Sequence, residues 1–184
     1  MRKTGGDAQE LDAGHGQQGR QSTHRPNGAA LRGVRALAVF STGLLAGALG
    51  YGAVNVVQTF QAVPLDVRLT FHTALMRMNG PVVQTTMGVA LVSSLVLALL
   101  VRRRLRIPAG AAVAGILTSF LVTRFGNVPI NAQIKVWAAG SIPADHATLL
   151  ARWEMFNVVR TVAAIAAFVL VVLVADRTGK VDRS

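Results

Sequence analysis

The sequence predicts an all-α integral membrane protein: a four-helix bundle with a disordered N-terminal tail and a short interfacial helix between its first two spans. Three observations carry that expectation. Hydrophobic residues make up 52% of the 184 residues and gather in four blocks of 17 to 22, long enough to cross a hydrocarbon core of about 30 Å. No run alternates apolar and polar residues as a half-buried strand does. The basic residues cluster in short segments beside the apolar blocks, the pattern of topology signals.

That placement decides what the formal charge of +11 means. No nucleic-acid-binding motif accompanies it, so nucleic acid is excluded as a partner and the lipid bilayer takes its place. The absence of cysteine removes disulfides, thiolate metal sites and a cysteine nucleophile.

Residues 1–30 are rich in Gly, Gln and charge and nearly devoid of large apolar side chains, so they cannot bury enough surface to offset their ordering entropy. A disordered cytoplasmic tail is expected there, with His15 and His24 solvated within it. No cleavable signal peptide is expected, because the first apolar run starts some thirty residues in. The transmembrane domain follows over residues 31–178.

Its first span, about 36–57, carries Gly43, Gly47 and Gly50, a small-residue face on which another helix can pack closely. Asn55 near its end reads either as an interhelical hydrogen-bond partner or as a pocket wall. Residues 58–79 interleave Arg68, His72 and Arg77 with apolar side chains and suit a short interfacial helix before Gly80-Pro81. His72 is the one histidine on that segment, either a proton acceptor or an interfacial residue without chemistry. The second span, about 82–101, ends in a basic run. The third, about 109–125, opens after Pro108 and carries Gly110 and Gly115 for close packing. The fourth covers about 157–175.

Charge counts set the orientation. The two tails and the 102–106 loop hold 13 Lys and Arg, and the other side holds 6. A multi-pass protein of the cell membrane with both termini cytoplasmic is expected.

The remaining stretch, residues 127–161, is a polar connection between two apolar spans. Asn127 and Asn131 flank Pro129 where the third helix is expected to stop. Trp153, Asn157 and Arg160 follow one another at i, i+4 and i+7, which puts them on one helical face, and Thr161 extends the stripe. Arg160 enters an apolar span, and an intramembrane arginine marks a function or an internal partner. The bland account is also available: asparagines at helix ends satisfy backbone groups, and Trp and Arg anchor membrane boundaries.

The runs Asn127-Val128-Pro129-Ile130-Asn131 and Arg152-Trp153, with Asn157-Val158-Val159-Arg160-Thr161, resemble the anthrone oxygenase-like family of small four-helix membrane proteins. That family carries N-V-P-L-N after its third span and W-N-x-x-R-T opening its fourth. The resemblance covers about residues 34–175. Two positions depart from the pattern: Ile130 replaces leucine, and Phe156 replaces a tryptophan, keeping a ring but losing an N–H donor.

The resemblance implies oxidation of an anthrone-like polycyclic phenol to a quinone during aromatic polyketide biosynthesis, with a small aromatic substrate and dioxygen as partners. An electron-rich anthrone anion reacts with dioxygen directly, so neither metal nor organic cofactor is expected. Arg160, Asn157, Asn127 and His72 are then the candidate catalytic residues. Asn131, Trp153, Phe156 and Asn55 are the candidate substrate-binding residues. For the base, only His72, His146 and Glu154 come into question. The other reading is a non-catalytic small membrane protein, a partner or stabilising subunit whose polar cluster locks helix ends together. Homo-oligomerisation stays open under both.

Overall fold

The computed structural model describes residues 28–181, and their side chains through Gly179. The expected disordered tail lies outside the described residues, except that residues 28–30 already belong to the first helix. Four helices are long and apolar enough to cross a membrane, and no strand occurs among the described residues. The protein is thus an all-helical, multi-pass membrane protein by length and composition.

The first span is α1 (Gly28–Tyr51), a π-helical turn over Gly52–Val56, and α2 (Val57–Ala62). The second is one uninterrupted helix, α3 (Leu65–Leu100). A 3-10 turn at Arg103–Leu105 leads into α4 (Arg106–Val122); a second π turn, Thr123–Asn127, joins it to α5 (Val128–Trp137). The fourth span is α6 (His146–Val181). α1 packs on α3 and α6, and α4 packs on the same two, so the spans form a ring in chain order.

Two expectations about helix ends need correction. The interfacial helix does not stand alone: residues 65–79 are the first half of α3, which runs through Pro81. A proline costs one intrahelical hydrogen bond and crowds the carbonyl four residues back, but it does not oblige the chain to turn. Here Leu69 and His72, both buried, hold the first half of α3 against the bundle. At 36 residues, α3 is about 54 Å long, well beyond a hydrocarbon core of about 30 Å. Likewise the third span does not stop at Asn127–Pro129. It widens, with Val128 N–H bonding to Thr123 O five residues back, and then continues to Trp137. The wide turn gives the Pro129 ring the room that a regular turn denies it.

The glycine contacts are also redistributed. A methyl group on Gly115 would stand 3.0 Å from Ala163 O and 3.1 Å from Ala167 Cβ, so α4 and α6 approach backbone to backbone there. A methyl group on Gly43 would stand 3.0 Å from the Phe168 ring, whereas one on Gly47, Gly50 or Gly110 would meet nothing within 4 Å. The small-residue face of α1 is therefore in contact only at Gly43.

The interior is three apolar clusters stacked along the bundle. One gathers Ala38, Leu97, Ala109 and Val174, the next Leu45, Met87, Ile116 and Ala164, and the last Phe60, Leu69, Ile134 and Trp153. Polar ties cross between spans: Ser41 and Ser93 hydroxyls at 3.1 Å, and Thr161 Oγ1 donating to Leu49 O at 3.2 Å.

Candidate active site

Between the second and third clusters lies a cavity of about 250 Å³, walled by all four spans. It exceeds the about 150 Å³ that holds a benzene ring and falls just short of the about 300 Å³ where drug-sized pockets begin. Two or three fused rings are the size it suits. Both π turns border it, through Gly52 and Val56 on one side and Thr123 on the other.

The α6 stripe faces this cavity. Trp153, Asn157 and Arg160 all line it, and Asn131 joins them from α5. Trp153 is 2% exposed and forms a flat wall. Arg160 brings a guanidinium into a chamber whose other described lining residues are all neutral. Its Nη2 donates to Asn157 Oδ1 and its Nη1 to Thr123 Oγ1 at 3.4 Å, while its buried Nε has no partner among the described residues. Those partners are neutral, so the positive charge is oriented but not cancelled. Thr123 in turn donates to Ser119 O at 2.8 Å, which leaves its oxygen lone pairs toward Arg160.

At the other end of the cavity, Asn131 Oδ1 lies 2.7 Å from Trp153 Nε1 and 3.0 Å from His72 Nε2. His72 is 1% exposed, stacked on Phe60 with centroids 4.9 Å apart and tilted against Trp153 at 4.4 Å.

Four of the expected site residues thus line the cavity, and four do not. Asn127 is buried behind it, its Nδ2 donating to Trp153 O at 3.1 Å; it braces the indole-bearing turn of α6. His72 sits one layer back, behind Asn131 and Trp153, and does not line the chamber. Phe156 is half-buried and packs on Gly126, where a methyl group would come within 2.7 Å of its ring. Asn55 lies in the first π turn with its side chain exposed, because the extra residue of that turn carries it off the inward face.

The other candidate bases are engaged elsewhere. Glu154 accepts from Arg68 Nη2 at 2.9 Å and from Gln61 Nε2 at 2.8 Å, and His146 Nδ1 donates to Pro143 O at 2.8 Å. Among the described residues, no histidine or carboxylate lines the cavity. Among the described residues, no three His, Asp or Glu side chains stand together as metal ligands would. Sequence reasoning missed Asn79, Gln84 and Thr123, which add polar groups to the wall. The signal was available for Gln84, the one amide inside the second apolar block.

A neighbouring recess of about 390 Å³ between α3 and α4–α5 shares Gln84, Thr123 and Val128 with the cavity. Its remaining walls are Met87, Phe120 and Arg124.

A family model described as Anthrone oxygenase matches residues 68–170, just over half of the chain. Every polar residue of the cavity wall falls within that range. No curated protein and no solved structure matches the chain.

Proposed function

The chain belongs to the anthrone oxygenase family, and from that premise we propose that it is a membrane-bound oxygenase acting on an anthrone-like phenolic ketone. The observation that carries this reading is Arg160, the one charged side chain among the described residues lining a chamber of about 250 Å³, uncancelled and beside a flat indole wall. A cation so placed stabilises an oxyanion far more than it would in water.

The chemistry asked of the site follows from the substrate. A benzylic proton passes to solvent water, turning the ketone into an enolate whose charge rests largely on oxygen, and Arg160 is placed to meet that oxygen. A preorganised donor of this kind contributes about 3 to 4 kcal/mol. The carbanion character at the opposite ring carbon then takes up dioxygen as a peroxide anion, which regains a proton from solvent. The resulting hydroperoxide loses water: one oxygen atom stays as the second carbonyl, and the other leaves with the two methylene hydrogens. In this reading Asn157 orients Arg160, Trp153 stacks on the rings, Asn131 offers an amide to the far edge, His72 acts through its neighbours, and Asn127 only braces α6. Aromatic polyketide biosynthesis is the setting that such substrates suggest.

The test is oxygen uptake by purified protein in nanodiscs with a panel of hydroxylated anthrones, followed by absorbance of the quinone product. Turnover above the spontaneous rate is expected with at least one of them. A folded protein that accelerates none would leave the non-catalytic subunit reading in its place.

A further inference from the structure

The amide of Asn131 is held by two rings that can each reach only one of its atoms. An indole N–H donates and never accepts, so the atom 2.7 Å from Trp153 Nε1 is the amide oxygen. The same oxygen faces His72 Nε2 at 3.0 Å, and two acceptors cannot share a bond. His72 must therefore carry a proton on Nε2, and in the neutral ring this leaves Nδ1 as a bare lone pair. That Nδ1 is buried and has no partner among the described residues. The ring faces are covered by Phe60 and Trp153, so the imidazole has no room to turn toward another partner. With both lone pairs of Oδ1 occupied, Nδ2 is the one polar atom of the Asn131 side chain left to offer to the cavity it lines.

We propose that His72 and Trp153 form a two-donor clamp on Asn131, positioning residues that fix its amide so that Nδ2 meets the ligand. The chamber then selects a flat molecule with an acceptor at each end, one for the Asn131 amide and one for Arg160. An unclamped amide turns over and presents its oxygen as readily as its nitrogen, so it discriminates little. A clamped one penalises any ligand that leaves its N–H groups unpaired. The ligand class rests on the reading of the cavity given above; the clamp itself does not.

The test is ¹⁵N NMR of the full chain, labelled at histidine, in nanodiscs at neutral pH, with the His72→Phe spectrum identifying the His72 signals. One neutral tautomer protonated on Nε2 is expected in the native protein. Trp153→Phe removes one clamp donor while keeping a ring, and it should give a mixture of both tautomers. It should also reduce the preference for anthraquinone over anthracene, which has the same shape without acceptors, by about tenfold. Should Trp153→Phe fail to fold, Asn131→Leu is read in its place, with the same mixture of tautomers expected. A native His72 protonated on Nδ1, or a tautomer unmoved by either variant, overturns the clamp. A clamp signature in a protein that oxidises no anthrone would remove the oxygenase reading alone. Anthrone turnover by a protein whose His72 carries its proton on Nδ1 would remove the clamp alone.

Discussion

Asn157 holds Arg160 in place from three residues earlier on the same helix. Its oxygen accepts from Arg160 Nη2, and its amide nitrogen donates to Trp153 O at 2.8 Å. The asparagine therefore cannot rotate without losing a bond at each end, and the guanidinium inherits that rigidity.

Arg160→Lys is expected to keep the fold while lowering turnover by about 10²-fold, since an ammonium retains charge but not the planar fork of donors. Melting temperature and anthrone turnover on the same preparation decide it. A large loss of stability with full specific activity would sink the catalytic role.

The two asparagines that share Trp153 O should separate cleanly. Asn157→Ala frees Arg160 and is expected to lower turnover about tenfold or more. Asn127→Ala removes a bond that only braces α6, and its buried Oδ1 has no partner among the described residues to lose. Its expected signature is a stability loss of about 1 kcal/mol with specific activity retained. Equal kinetic loss in both variants would contradict this division of roles.

Gly115→Val should cost about 1–3 kcal/mol, because the added atoms drive into Ala163 O and Ala167 across the α4–α6 contact. Gly47→Val, where nothing stands in the way, should stay within about 0.5 kcal/mol of the native protein apart from helix propensity. Thermal unfolding in one detergent compares them directly.

Glu154→Gln leaves Arg68, only 8% exposed, without its carboxylate. A stability loss of up to about 3 kcal/mol is expected. Because Arg68→Gln with Glu154→Gln removes both charges, the double variant should recover part of that loss; equal or greater damage would show that the loss does not come from a stranded Arg68 charge.

Reporter fusions after Ser184 should behave as cytoplasmic, following the charge bias of 13 against 6. A signal from the opposite side would invert the orientation proposed for the whole bundle.

Much of this site could be read from spacing. Trp153, Asn157 and Arg160 fall on one face because α6 is regular from end to end, so positions four and seven apart stay aligned. Asn131 was found through a motif rather than through periodicity. Phe156 was assigned from the motif, and on the regular α6 it packs on Gly126 instead of lining the chamber. Asn55 was misplaced for a different reason. Helical phase is predictable only while the turn stays constant, and neither Gly52–Val56 nor Thr123–Asn127 announces its widened turn by any residue type. His72 was recognised as chemically apt, but whether it touches the chamber or stands behind Asn131 is a matter of packing between α3 and α5. Pro81 and Pro129 misled in the other direction, since burial of the flanking segments outweighs the lost hydrogen bonds.

The two π turns carry a consequence for how such a chamber diverges. Each holds one residue more than a regular helix of that length, and in a 3.6-residue helix one residue is about 100° of rotation. The wide turn absorbs that rotation, because the bond from Val128 N–H to Thr123 O spans five residues where a regular turn spans four. Deleting a single codon within 123–127 would close the turn to a regular one and leave α5 in phase, with Asn131 still facing the chamber. The wall beside Thr123 can therefore be reshaped in one step, by gain or loss of a residue, while the helices on either side keep their faces.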